Sequence, residues 1–340
     1  MFKRKIYSDL LKWKQESEGT SALLIEGARR IGKSTVVEEF AKNEYRDYVI
    51  IDFSIAEQAV KDNFENIGNM DTFFRNLFII VGKTLPQIES VIIFDEVQLF
   101  PKARQAIKHL VKDGRFDYIE TGSLISINKN VKDILIPSDE ESIQMYPMDF
   151  EEFLWAIGNH LYAEVIRDAY KSRKPLGADN HRRIMQTFRN YLAVGGMPQA
   201  VSAYVDGKDF VSIDRVKRNI LKLYTKDLQK HDEYEGDRAG AVFRSLLEQL
   251  SNHNHIFKFS TIDANARTRN CRSAIDFLLV KGKRIVPIEV KSSDYKNHKS
   301  FDYFKEKYQL KMNERYIIYT KDMEWKDDIL FMPIYMTMCL

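Results

Sequence analysis

The chain has 340 residues, 44% of them hydrophobic and 30% charged, with a formal net charge of only +3. That composition fits an ordered protein better than a disordered one, gives a prior of roughly two or three domains, and removes any global electrostatic argument for nucleic acid, leaving only local basic patches. No stretch approaches the roughly 18 uncharged apolar residues of a membrane span. The first twenty residues, "MFKRKIYSDLLKWKQESEGT", lack the apolar centre of a signal peptide. The two cysteines, Cys271 and Cys339, form neither a disulfide framework nor a metal motif. A cytoplasmic protein with no membrane partner is expected.

The first half alternates helix and strand patterns. "IYSDLLKWK" sets Ile6, Leu10, Leu11 and Trp13 at helical spacing. "SALLIE" (21–26) reads as a short buried strand, "STVVEEFAKN" (34–43) as a helix and "DYVIIDFS" (47–54) as a second strand. A helix over 70–85, a strand at "SVIIFDE" (90–96), an amphipathic helix over 102–114 and strands at 115–123 and 142–148 follow. Five short apolar strands separated by helices predict an α/β fold, a parallel five-stranded sheet covered by helices on both faces. From about residue 150 the pattern is mostly helical, through "KRNILKLYTKDLQKH", and strands return near 274.

Between the first strand and the second helix lies Gly27-Ala28-Arg29-Arg30-Ile31-Gly32-Lys33-Ser34, which fits G-x-x-x-x-G-K-[ST] in the strand–loop–helix setting that such a motif requires. The glycines let backbone N–H groups turn inward toward phosphate oxygens, and the following helix adds its positive N-terminal end. Lys33 supplies a mobile charge for the β- and γ-phosphates and Ser34 a hydroxyl for Mg2+, with Thr35 next to it. "VIIFDEVQ" (91–98) puts Asp95 and Glu96 at a strand end. One carboxylate there can hold the metal through water, and the next can orient or deprotonate the attacking water. Alone the two acids read equally well as solvated residues. The fourth strand ends in "ETGS", where Thr121 or Ser123 could reach the γ-phosphate, a plain turn being the competing reading.

The phosphate loop, "FDEVQ", "TGSL" (121–124), "YPMDFEEFL" (146–154) and "YLAVGGMPQAV" (191–201) follow one another in order. Together they resemble the prokaryotic ATPases of the AAA+ superfamily that carry a separate C-terminal domain of unknown function, over about residues 1–235. The resemblance implies strand order 5-1-4-3-2 with ATP at the strand C-termini, Lys33 and Ser34 on phosphate and metal, Asp95 on metal, Glu96 as catalytic base and Thr121 as a polar sensor. Gly195, Gly196 and Pro198 match a family motif for which a tight turn is an adequate reading, and Arg29, Arg30 and an arginine of another subunit all stay open as the finger.

"AIDFLLVKGKRIVPIEVKSS" (274–293) reads as two strands around "KGKR". With Gly282-Lys283 as the two-residue turn, Asp276 falls directly opposite Glu289, and Lys291 shares its face. Like charges opposite each other destabilise a hairpin unless a cation relieves them, and two acids beside a lysine resemble the restriction-endonuclease-like site that this ATPase family often carries. Solvated hairpin charges are the competing reading, and Pro287 weakens the second strand or marks it as an edge. "LLEQLSNHNHIFKFSTIDANARTRN" (246–270) looks like the start of a winged-helix-like unit, but the family pattern is shortened between residues 260 and 275. Nuclease activity is therefore not expected. His253 and His255 read as surface residues without a third metal ligand.

The expected organisation is an ATPase domain over 1–155, a helical segment over 156–270 and a small α+β piece over 271–340. The expected function is an ATP-binding protein that hydrolyses ATP with Mg2+ to drive a conformational change. The alternative is a nucleotide-dependent binding or scaffold protein with negligible turnover. DNA and a second copy of the chain stay open as partners.

Overall fold

The computed structural model describes residues 1–123, 139–230, 243, 245, 276–281, 284–291, 301, 315–326 and 329–340. By compactness the chain falls into two units, Met1–Met148 with Gly196–Ala203, and Asp149–Gly195 with Tyr204–Leu340. The first unit runs α1 (Ile6–Ser17), β1 (Ala22–Gly27), α2 (Lys33–Glu44), β2 (Asp47–Asp52), α3 (Gln58–Asn63), α4 (Met70–Val81), β3 (Ser90–Asp95), α5 (Pro101–Asp113), β4 (Asp117–Ser123) and β5 (Glu140–Met145). The five strands make one sheet of order β2-β3-β4-β1-β5, every adjacent pair parallel, the order that the resemblance implied.

The inner strands are buried on both faces because they alternate their apolar side chains between two clusters. Leu24, Ile92, Phe94 and Tyr118 pack with Phe73, Leu77 and Ile107 of α4 and α5. Leu23, Ile25, Val91, Ile93 and Ile119 pack with Leu10, Trp13, Val36 and Phe40 of α1 and α2. The helices carry their own stop signals. Asn69 accepts the Thr72 N–H at 3.1 Å to open α4, and Gly82 closes it at φ 67°. Pro101 opens α5 and Gly114 closes it at φ 73°.

The second unit holds α6 (Phe150–Ala156), α7 (His160–Ser172), α8 (Ala178–Val194) and α10 (Phe210–Lys230), while α9 (Pro198–Val205) runs mostly within the segment of the first. Asp149 and Glu152 form a reciprocal capping box at the start of α6. A second sheet of order β6-β7-β8-β10-β9 is built from β6 (Phe277–Lys281), β7 (Arg284–Val290), β8 (Arg315–Tyr319), β9 (Glu324–Lys326) and β10 (Ile329–Pro333). It is mixed: β6 and β9 are antiparallel to their neighbours, whereas β7, β8 and β10 are parallel. Helices of the same unit brace it. Asp322 accepts the N–H groups of Leu176 and Gly177 at 3.1 and 2.8 Å, and His181 Nδ1 lies 2.9 Å from the Tyr335 hydroxyl.

Pro287 does not mark an edge, because β7 lies inside the sheet. In a two-residue hairpin, hydrogen-bonded and non-bonded pairs alternate, so the Leu278–Pro287 pair needs no N–H from Pro287. The parallel ladder to β8 starts only at Ile288, so none is needed on that side either. The winged-helix-like stretch, the shortened region, His253 and His255 lie outside the described residues.

Candidate phosphate-loop site

Because all five strands of the first sheet are parallel, Gly27, Asp95, Ser123 and Met145 end on one rim. The loop Gly27–Ser34 rises from β1 there. A Cβ on Gly27 would collide with the Met145 carbonyl oxygen, and Gly32 sits at φ 93°, so glycine is required at both ends. Lys33 folds back into the loop, its Nζ donating to the carbonyls of Gly27 at 3.1 Å and Ala28 at 2.9 Å. Burial pushes the Lys33 ammonium below the ordinary lysine range, while Glu96 and Asp95 pull it up and Arg29 adds to the depression.

Ser34 and Asp95 meet above β4. The Ser34 hydroxyl donates to Asp95 Oδ1 at 2.9 Å, and the Thr121 hydroxyl donates to the same oxygen. Thr121 is fully buried and Asp95 nearly so. Glu96 follows Asp95 in the left-handed region at φ 55°, its N–H directed at Thr121 Oγ1 at 3.4 Å. Its carboxylate accepts from the side-chain amide of Gln98, whose own oxygen accepts the Ser123 N–H at 3.3 Å.

Arg4 joins the site without any signal in the sequence around it. Arg4 donates to the Ile31 carbonyl at 2.8 Å and to the Tyr146 carbonyl at 2.6 Å, tying the loop to the end of β5. Gly196 and Pro198 hold more than a turn. Met148 N–H donates to the Gly196 carbonyl at 2.7 Å, and a Cβ on Gly196 would collide with the Met148 carbonyl oxygen. Next to them Arg30 Nη1 reaches Gln199 Oε1 at 3.4 Å. Phe2, Arg4, Gly32, Thr35, Pro198 and Ser202 help line a pocket of about 330 Å3 beside the loop. Arg4 and Tyr146 lie 142 residues apart and Arg30 and Gln199 169, so no local pattern announces these contacts.

The hairpin has the expected register, with Phe277 opposite Ile288 and Lys281 opposite Arg284. Asp276, one position beyond the ladder, accepts the Val290 N–H at 2.8 Å. Glu289 is buried and pairs with Lys291 at 2.8 Å. Among the described residues no cluster of three or more His, Cys, Asp or Glu stands ready to hold a metal.

The model of an AAA domain matches residues 19–154. Two models of domains of unknown function, DUF8612 and DUF4143, match residues 185–281 and 240–337. No curated protein matches the chain. Among solved structures, a Walker-type ATPase of Pyrococcus abyssi is 16% identical over 68% of this chain and 74% of its own, with a TM-score of 0.38. AMPPCP-bound DnaA from Aquifex aeolicus is 11% identical over 78% of this chain and 83% of its own, also with a TM-score of 0.38. The Aeropyrum pernix ORC1 protein in complex with DNA is 9% identical over 76% of this chain and 75% of its own, again with a TM-score of 0.38. Residues 19–154 are thus similar to AAA domains, and the region after them is similar to domains that their models describe only as of unknown function. Among the described residues no helix is long and apolar enough to cross a membrane.

Proposed function

We propose that the first unit binds ATP with Mg2+ and hydrolyses it to drive a conformational change. The observation that carries this reading is the Ser34–Asp95 hydrogen bond of 2.9 Å at the foot of the phosphate loop. It brings together a hydroxyl and a carboxylate oxygen, the hard oxygen donors that Mg2+ takes. Mg2+ held by Ser34 and Asp95 would neutralise charge on the β- and γ-phosphates.

The chain's own residues do the rest. The loop N–H groups and the N-terminus of α2 face the phosphates, and Lys33 exchanges the carbonyls of Gly27 and Ala28 for phosphate oxygens. Glu96 accepts a proton from water while the water oxygen bonds to the γ-phosphorus. The bond from that phosphorus to the bridging oxygen breaks, and its electron pair leaves on the β-phosphate. Thr121 acts as a polar sensor by holding Asp95 Oδ1. The pocket beside Thr35 receives the nucleoside end, with Phe2 and Pro198 as apolar walls.

Binding of a fluorescent ATP analogue and steady-state phosphate release test this on the wild type, Lys33→Ala and Glu96→Gln. Lys33→Ala is expected to lose binding. Glu96→Gln is expected to keep binding and lose turnover, because an amide preserves shape but cannot take the water's proton. Release at the wild-type rate in Glu96→Gln would remove Glu96 as the base.

A further inference from the structure

Gln98 has no place in the reading above, yet it is buried beside Glu96. The 3-10 turn Val97–Leu99 bends the chain directly after β3 and returns the Gln98 side chain to the end of β4. There its two ends do different work. The Ser123 N–H can only donate, so the atom 3.3 Å from it is the Gln98 oxygen. The amide NH2 must then face Glu96, and it donates to Glu96 Oε2. The orientation of the amide is thereby fixed by backbone chemistry. Glu96 Oε1 is left for a water, with no hydrogen-bond partner among the described residues.

This connection complements the one through Thr121. Thr121 engages the carboxylate of Asp95 and the N–H of Glu96, while Gln98 carries the position of the next β4 backbone group but one to the Glu96 carboxylate. The end of β4 thus sets both acids. A glutamate needs such a hold because its three side-chain torsions otherwise spread the carboxylate over several rotamers.

We propose that Gln98 is a positioning residue for hydrolysis: it holds Glu96 Oε2 so that Oε1 meets the attacking water. The proposal rests on the reading of Glu96 as general base. Removing the hold lets the carboxylate wander by about an ångström, which costs a reaction about ten- to a hundredfold in rate without touching the phosphate loop.

Gln98→Glu keeps the volume and the acceptor for the Ser123 N–H, but places a carboxylate oxygen where the donor to Glu96 stood. Gln98→Met keeps the volume and removes both bonds. For both, kcat for ATP hydrolysis is expected to fall about ten- to a hundredfold while KM and the affinity for a fluorescent ATP analogue stay within about twofold of wild type. The unchanged affinity certifies a folded site, and the kcat-only loss is what a general packing defect would not give. Wild-type or raised kcat in Gln98→Glu would overturn the proposal, as would a fall in affinity matching the fall in kcat. Glu96→Gln, assayed alongside, separates the two ideas. If it is inactive while Gln98→Glu turns over normally, only the role of Gln98 falls. If it turns over normally, or the wild type does not turn over, the base assignment and the proposal fall together.

Discussion

Ser34, the second residue of α2, donates its hydroxyl to Oδ1 of Asp95, the last residue of β3, at 2.9 Å. β1, which leads into the loop before Ser34, and β3, which ends at Asp95, are not neighbours: β4 lies between them. The bond therefore arches over the end of β4, and Thr121, from β4 itself, donates to the same oxygen. Three segments far apart in sequence thus meet at one carboxylate oxygen, the one to which the proposed reading assigns the Mg2+.

The depressed pKa of Lys33 makes nucleotide affinity sensitive to alkaline pH. Burial favours the neutral amine, so the ammonium is lost at a lower pH than the roughly 10.4 of a free lysine. Phosphate binding needs the charged form. Affinity for an ATP analogue should therefore decline as pH rises toward that range, with protons taken up on binding. Lys33→Met should show weak binding with a flatter profile. Parallel slopes for the two proteins in a titration from neutral to alkaline pH would contradict this origin.

Glu120 should limit stability at high pH. It lies fully buried on β4 in register with Leu24 and Phe94. Burial first, then the charge of Glu140, push its pKa well above the carboxylate range, with Arg104 pulling the other way. Arg104 is itself engaged by both oxygens of Glu140, at 2.6 and 3.0 Å. A folded-state pKa above the unfolded value contributes stability that is present below the unfolded pKa of about 4.3 and is lost as pH rises toward the folded one. Glu120→Gln keeps the size of the side chain and cannot ionise. It should raise the melting temperature at pH 8 by roughly 2–6 °C, and by less at pH 5. An equal change at both values would refute the ionisation account.

Gly196→Ala should destabilise the first unit by about 1–3 kcal/mol, as overpacking against a rigid neighbour does. The added methyl meets the backbone of Met148, which has no rotamer to escape into. Thermal melts of Gly196→Ala beside Gly207→Ala check this. Gly207 has open space around its Cβ position but a φ of 74°, so its loss reports backbone strain alone. A smaller loss at Gly196 than at Gly207 would count against the contact.

The β6–β7 hairpin should show no Mg2+-dependent DNA cleavage. Asp276 accepts the Val290 N–H and Glu289 pairs with Lys291, and among the described residues no group of three or more His, Cys, Asp or Glu is set to hold a metal. Incubating the purified full chain and Asp276→Ala with plasmid DNA and Mg2+ is the check, and cleavage that disappears in the variant would contradict it.

Much of the first unit was legible because its signals are local. Short apolar runs place β1, β3 and β4, and the glycine loop with its lysine and serine stands where a strand turns into a helix. The remaining parts depend on distant partners. Gln98 reads as a solvent-facing amide until β4 supplies the Ser123 N–H, and Arg4 has no local pattern to distinguish it from its basic neighbours. The three exposed residues of β9 carry no alternation at all and are recruited by β10. Pro287 argues locally for an edge, and only the late start of the β8 ladder lets it sit inside a sheet.

The segment Gly196–Ala203 belongs to the first unit although nearly fifty residues separate it from Met148. During synthesis, the phosphate-loop unit therefore cannot close when its fifth strand leaves the ribosome. It waits for the stretch over 149–195 to emerge, and until then the Met148 N–H that Gly196 will take is open to water. A gene fragment cut after residue 155 would keep every strand of the sheet and still encode an unsealed domain, because the piece that seals it lies downstream of its neighbour's first helices.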